Sequence, residues 1–178
     1  MSDSVRLVNQ QLAFCQAQLN SARSSDGFNQ RCALQACKLQ MHLLMHAYLA
    51  EIAERHGLKW AVKCGELTDA LDQLNALFEQ KALVSADFAH LQHLINQQSP
   101  WHYWLQLSHS ALTAGASAPI SPVLSDAAVS LSSPIIASSQ TIENPLNADA
   151  SSQIELMHEL LTALHEVIQL QRQNKIEF

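Results

Sequence analysis

The sequence predicts an all-α protein, an antiparallel bundle of about five helices with a tethered C-terminal amphipathic helix. Three observations predict it. Leu, Ala, Gln and His dominate the composition, and β-branched runs are confined to one late segment. Glycine occurs only four times, at Gly27, Gly57, Gly65 and Gly115, each at the edge of a periodic segment. Between those breaks, apolar residues recur with spacings of 3 and 4, the period of a helix buried on one side.

The first helix is expected over about 4–22, where Val8, Leu12, Cys15 and Leu19 form one stripe. The second spans about 28–56 as one uninterrupted rod. Ala33, Leu34, Cys37, Met41, Leu44, Tyr48 and Ile52 form one apolar face, and Cys32, Ala36, Leu39, Leu43, Ala47 and Ala50 form another nearly opposite. Two apolar faces make it the central element, with Cys37, Met41 and Met45 as core filling. A third helix at 66–80 carries Leu67, Leu71, Leu74 and Phe78, and a fourth at 85–97 carries Val84, Phe88, Leu91 and Ile95 behind a Ser85 N-cap. "SPWHYWLQL" opens the fifth, with Ser99 as cap and Pro100 at the first helical position. Short connections favour antiparallel neighbours.

Composition changes at residue 113. Residues 113–151 hold four of the five prolines and nine serines, with no aromatic, Lys or Arg. Such a stretch buries too little surface to offset its ordering entropy and is expected to be a disordered linker between a 1–112 bundle and a 152–178 helix. In that last helix Ser152 and Glu155 form a capping-box pattern. Ile154, Met157, Leu161, Leu164 and Ile168 form a narrow apolar seam that Gln171 interrupts. The seam needs a groove, on its own bundle or on another chain. On this reading, deleting residues 113–178 leaves a folded core.

Net charge is −6, and the ten Lys and Arg are scattered, Lys59 and Lys63 after Arg55 and His56 being the one small basic neighbourhood. That argues against a phosphate-backbone binder. No signal peptide pattern and no bilayer-length apolar run are visible, so the expected compartment is the cytoplasm with no membrane partner. Cys15, Cys32, Cys37 and Cys64 then read as reduced thiols, and none is spaced C-x-x-C.

Candidate chemistry is sparse. His42 and His46 have the i, i+4 spacing of two metal ligands, but "HLLMH" lacks the Glu of H-E-x-x-H and the bundle holds no Glu-x-x-His. They are expected to be wetted imidazoles flanking an interior helix. His90 and His93 form a weaker pair, and Glu155 and His158 have ligand spacing without a second copy. No nucleophile elbow, P-loop or dinucleotide fingerprint occurs, so no enzyme activity and no cofactor are expected. Trp101 and Trp104 share a face and either close the core or anchor an interface. His102 and Tyr103 then point outward along a shallow groove.

Two resemblances accompany these residues. Residues 1–112 resemble a small bacterial helical family of unknown function, through Asn9, Gln10, Leu12, Phe14, Ala17, Tyr48 and Trp101. The first two helices are also similar to the helical hairpin of HEPN domains. HEPN ribonucleases carry an Arg followed 5–7 residues later by His, and no arginine here has one, so the resemblance implies a non-catalytic RNA or toxin-partner module. The expected function is a non-enzymatic protein–protein interaction module. Its partner is another protein or a second copy in a homo-oligomer, contacted through Trp101, His102, Tyr103, Trp104 and the Ile154–Ile168 seam. The alternative is a metal-binding bundle using His42 and His46.

Overall fold

The computed structural model describes residues 2–60, 65–96, 100–107 and 149–173. All the regular elements among them are helical. Helix α1 (Asp3–Ser24) starts at Ser2, whose hydroxyl accepts the Val5 N–H at 3.4 Å. Helix α2 (Gly27–Arg55) is the uninterrupted rod that the periodicity predicts. It ends at Gly57, which takes φ +70° while its N–H donates to the Glu54 carbonyl and the Leu58 N–H returns to Ala53. A left-handed residue there closes the helix at least cost when it is glycine.

Helix α3 (Leu67–Gln80) and helix α4 (Ala86–Asn96) follow the expected spans closely. Ser85 caps α4 as predicted, accepting the Phe88 N–H at 3.2 Å. Val84 is the exception: it is 91% exposed, because it precedes the cap and so lies outside the helix whose stripe it seemed to continue. Residues 103–107 form a short helical stretch; Ser99 lies outside the described residues. Helix α5 (Ala150–Gln173) begins earlier than the capping box suggests. Its cap is Asp149, whose carboxylate accepts the Ser152 N–H at 3.1 Å, so Ser152 is inside the helix. Of the expected linker, residues 113–148 lie outside the described residues, as do 174–178 of the last segment.

Three contacts place α1 against α2: Ser4 bonds to Glu54, the Cys37 thiol approaches the Cys15 carbonyl, and the Gln30 amide donates to the Ala22 carbonyl. Residue numbers rise along one helix as they fall along the other, so the pair is an antiparallel hairpin. Helix α5 lies on both members. It buries Ile154, Met157, Leu160, Leu161, Leu164 and Ile168 in the same core as Val8 and Cys15 of α1 and Met41, Tyr48 and Ile52 of α2. The seam read from the sequence is used here within the chain.

Candidate functional site

Trp101 and Trp104 are both buried and close the core, while His102 is exposed and Tyr103 half-buried. A groove of about 600 Å³ does lie beside this turn, but His102 and Tyr103 do not line it. Its walls are Leu94 of α4, Trp101, and Ala163, Val167 and Leu170 of α5, with His90 and His165. Ile154, Met157, Leu161, Leu164 and Ile168 are buried to 7% exposure or less, which leaves the seam little surface to offer a partner.

The expected wetted histidines are corrected. His42 and His46 are buried, at 3% and 1% exposure, with ring centroids 4.5 Å apart in an edge-on arrangement. His46 Nε2 lies 3.2 Å from the Gly65 carbonyl oxygen; a carbonyl only accepts, so this nitrogen carries the proton and Nδ1 the lone pair. Among the described residues that Nδ1 has no hydrogen-bond partner, and neither His42 nitrogen makes a hydrogen bond of good geometry. The chain segment returning into α3 covers them, which the periodicity of α2 alone does not reveal. Burial pushes the His42 pKa down to about 4, helped by His46 and opposed by Glu66 and the Gly65 backbone, and burial lowers that of His46 as well, again against the Gly65 backbone. Both rings are therefore neutral at pH 7. Two imidazoles supply half of a tetrahedral metal set, and among the described residues no three His, Cys, Asp or Glu side chains converge. Cys64 lies outside those residues.

This pair makes stability depend on pH. An unfolded imidazole titrates near 6.5 and the folded His42 near 4, so the unfolded chain takes up protons first. Stability is full above about pH 6.5 and is expected to fall by about 3 kcal/mol from His42 alone as pH drops to about 4. Urea melts across that range test this, and a His42→Gln variant should flatten the decline.

The buried thiols are poor nucleophiles. Desolvation pushes Cys15 and Cys37 upward, Cys15 further through its neighbour Cys37, so neither is a thiolate at neutral pH. Cys32 is exposed.

Two features escape the sequence reading. The first is a buried ionic junction. Glu51 of α2 is fully buried and pairs with Arg55 one turn on and with Arg172 of α5, whose Nη2 lies 2.6 Å from its carboxylate. Arg55 also reaches Asp87 of α4 at 2.8 Å, and Arg172 reaches Asn9 of α1 at 2.9 Å. Beside them the Tyr48 hydroxyl donates to the Gln171 carbonyl oxygen, and the Gln171 amide donates to the Asp87 carbonyl at 3.2 Å. Gln171, which interrupts the seam in sequence, is thus a buried connector. Burial by itself raises the Glu51 pKa, but hydrogen bonds and charge from Arg172 and Arg55 outweigh it and hold the carboxyl below its usual range. Arg55 is spent here, so it adds nothing to a basic patch.

The second is an exposed apolar face. The second face assigned to α2 is covered only towards its C-terminal end, where Ala47 and Ala50 are buried. Towards the N-terminus Cys32 is exposed, Ala36 and Leu43 are half-buried, and Leu39 is 42% exposed. Phe28 continues the row at 71% exposure. At about 100° per residue, Leu39 lies nearly opposite Tyr48, which meets α5. On α1, Phe14 lies well round the helix from Gln16, which lines a cleft with α5, and is 45% exposed. Phe14, Phe28 and Leu39 therefore share the side of the hairpin that faces away from α5.

Comparison of the chain with models of known families, with curated proteins and with solved structures finds no match. Among the described residues no helix is long and apolar enough to cross a membrane.

Proposed function

We propose that this protein is a helical interaction module that acts by binding another protein through the outer face of the α1–α2 hairpin. The observation that carries the reading is the exposure of Phe14, Phe28 and Leu39 on one side of two packed helices. Single exposed apolar residues need no explanation, whereas several large ones on the same side of a packed helix pair are a reason to look for a contact surface there. The ionic junction supports the reading by fixing α5 to the opposite side, so the hairpin is presented as a firm platform. The role expected of the C-terminal seam passes to this face.

The test is site-specific cross-linking in cells. A photo-reactive phenylalanine analogue at position 28 is expected to capture a discrete protein, identified by mass spectrometry. The same analogue at Glu159, exposed on α5, is expected not to. Equal capture at both positions, or none at position 28, removes this face from the function.

A further inference from the structure

The polar stripe of α2 meets a different neighbour at each end. Arg31, Gln35, Lys38 and His42 follow one another at spacings of 4 and 3, so they share one side of the helix. Gly65 and Glu66 approach the His42 end. At the other end the first turn of α5 stands opposite, and a cleft of about 410 Å³ lies between Arg31, Gln35 and Lys38 of α2 and Ala150 and Gln153 of α5. Arg31 and Lys38 are seven positions apart, nearly two full turns and about 10 Å along the axis. None of the described residues that line the cleft is acidic. Asp26 and Asp149 adjoin it in sequence, but both are exposed, and the Asp149 carboxylate already accepts the Ser152 N–H. The ion pairs among the described residues are those of the Glu51 junction, and Arg31 is in none of them. Lys38 is 8% exposed; burial lowers its pKa, opposed by the neighbouring Cys37. The cleft thus gathers positive charge beside a desolvated ammonium, a cost that an anion within it offsets.

We propose that this cleft binds a small hydroxylated phosphomonoester, its phosphoryl group held between Arg31 and Lys38. Such a group carries about −1.5 to −2 charges at neutral pH, which matches two cations where a single carboxylate matches one. Its oxygens suit the pair, since a guanidinium fork takes two at once and an ammonium takes another. The remaining walls define the body of the ligand. Gln35 and Gln153 bring amides, a group type that both donates and accepts, as hydroxyls require. Leu34 is the one large apolar side chain among the described residues lining the cleft, so an acyl chain finds no trough there. No described lining residue is aromatic, so a nucleobase finds no ring to stack on. The volume lies within the range of small-molecule sites, and the exposure of Arg31 leaves the cleft open to solutes. This site is independent of the contact surface proposed for Phe14, Phe28 and Leu39, none of which lines it.

The test is calorimetric titration and thermal melting of the full chain with β-glycerophosphate. Glycerol, glycerate, inorganic phosphate and sodium chloride at matched ionic strength are the controls. β-Glycerophosphate is expected to bind saturably and, at about tenfold above Kd, to raise Tm by about 3 °C or more, as any ligand of the folded state alone does. Glycerol and chloride are expected to do neither, and glycerate and inorganic phosphate to bind several-fold more weakly. Arg31→Gln changes an exposed side chain, so it is expected to weaken binding about tenfold or more while leaving the Tm of the ligand-free protein unchanged. Lys38→Gln is expected to abolish binding; if this buried change unfolds the chain, Arg31→Gln decides alone. No saturable binding, full binding by Arg31→Gln, or an equal Tm rise with chloride overturns the proposal. Equal binding of glycerate removes the phosphoryl preference, and equal binding of inorganic phosphate removes the hydroxylated body; either result overturns it too.

Discussion

Deleting residues 113–178 is expected to abolish cooperative unfolding of what remains. The sequence alone suggests the reverse, a self-sufficient bundle with a dispensable tail, and the packing of α5 is why the expectation changes. Six of its large apolar side chains, Ile154, Met157, Leu160, Leu161, Leu164 and Ile168, lie in the common core. At roughly 1.5–3 kcal/mol for each buried side chain, the gross contribution is on the order of 10 kcal/mol. A domain of this size has a net margin of only about 5–15 kcal/mol. Removing α5 also bares apolar side chains of α1 and α2 that it covers. The truncated chain should bind a hydrophobic dye and lose its sharp thermal transition. A synthetic peptide of residues 149–173 added in excess should restore the transition, because a tether sets effective concentration and not contact energy. A truncated chain that melts as sharply and as high as the full one would show that α5 adds nothing to stability.

What the sequence discloses and what it withholds divide along physical lines. Helix spans depend on nearest neighbours in the chain: the Ser85 cap, the glycine after α2 and the 3–4 spacing of Leu67, Leu71, Leu74 and Phe78 are local facts, and they place α2, α3 and α4 to within a residue or two. Burial of a given face depends on what covers it. His42 and His46 look like a wet flank because their helix neighbours include Arg31, Gln35 and Lys38, and they are dry because Gly65 and Glu66 return across them. Leu39 looks interior and is not, since among the described residues no helix crosses the N-terminal half of that face. Glu51 and Arg55 stand i, i+4 in the sequence, a spacing that on most helices marks a solvated pair. Only Arg172, 121 positions away, turns that pair into an interior junction.

That junction carries the second large expectation. Glu51→Ala is expected to destabilise the protein by about 3–5 kcal/mol, the cost of leaving buried charges without their counter-ion. Arg55 keeps Asp87 in the variant, but Arg172 loses its carboxylate partner and, among the described residues, retains Asn9. The loss should therefore fall on the docking of α5, and hydrogen exchange should accelerate first in Ala150–Gln173. Arg172→Ala removes a partner that is 20% exposed and leaves Glu51 its bond to Arg55, so its effect is expected to be smaller. The double variant should cost less than the two single ones together, by an interaction energy on the order of 1–3 kcal/mol. Acid works on the same group. The Glu51 pKa is lowered by folding, so its stabilisation is complete above the unfolded carboxylate value of about 4.3 and fades as pH falls below it. The histidine decline ends near pH 4, where this second one starts, so an acid titration of the wild type should show two successive losses. Glu51→Gln should remove the lower one and leave the upper. Additive single variants, or a Glu51→Ala protein as stable as wild type, would mean that α5 is held by its apolar seam alone.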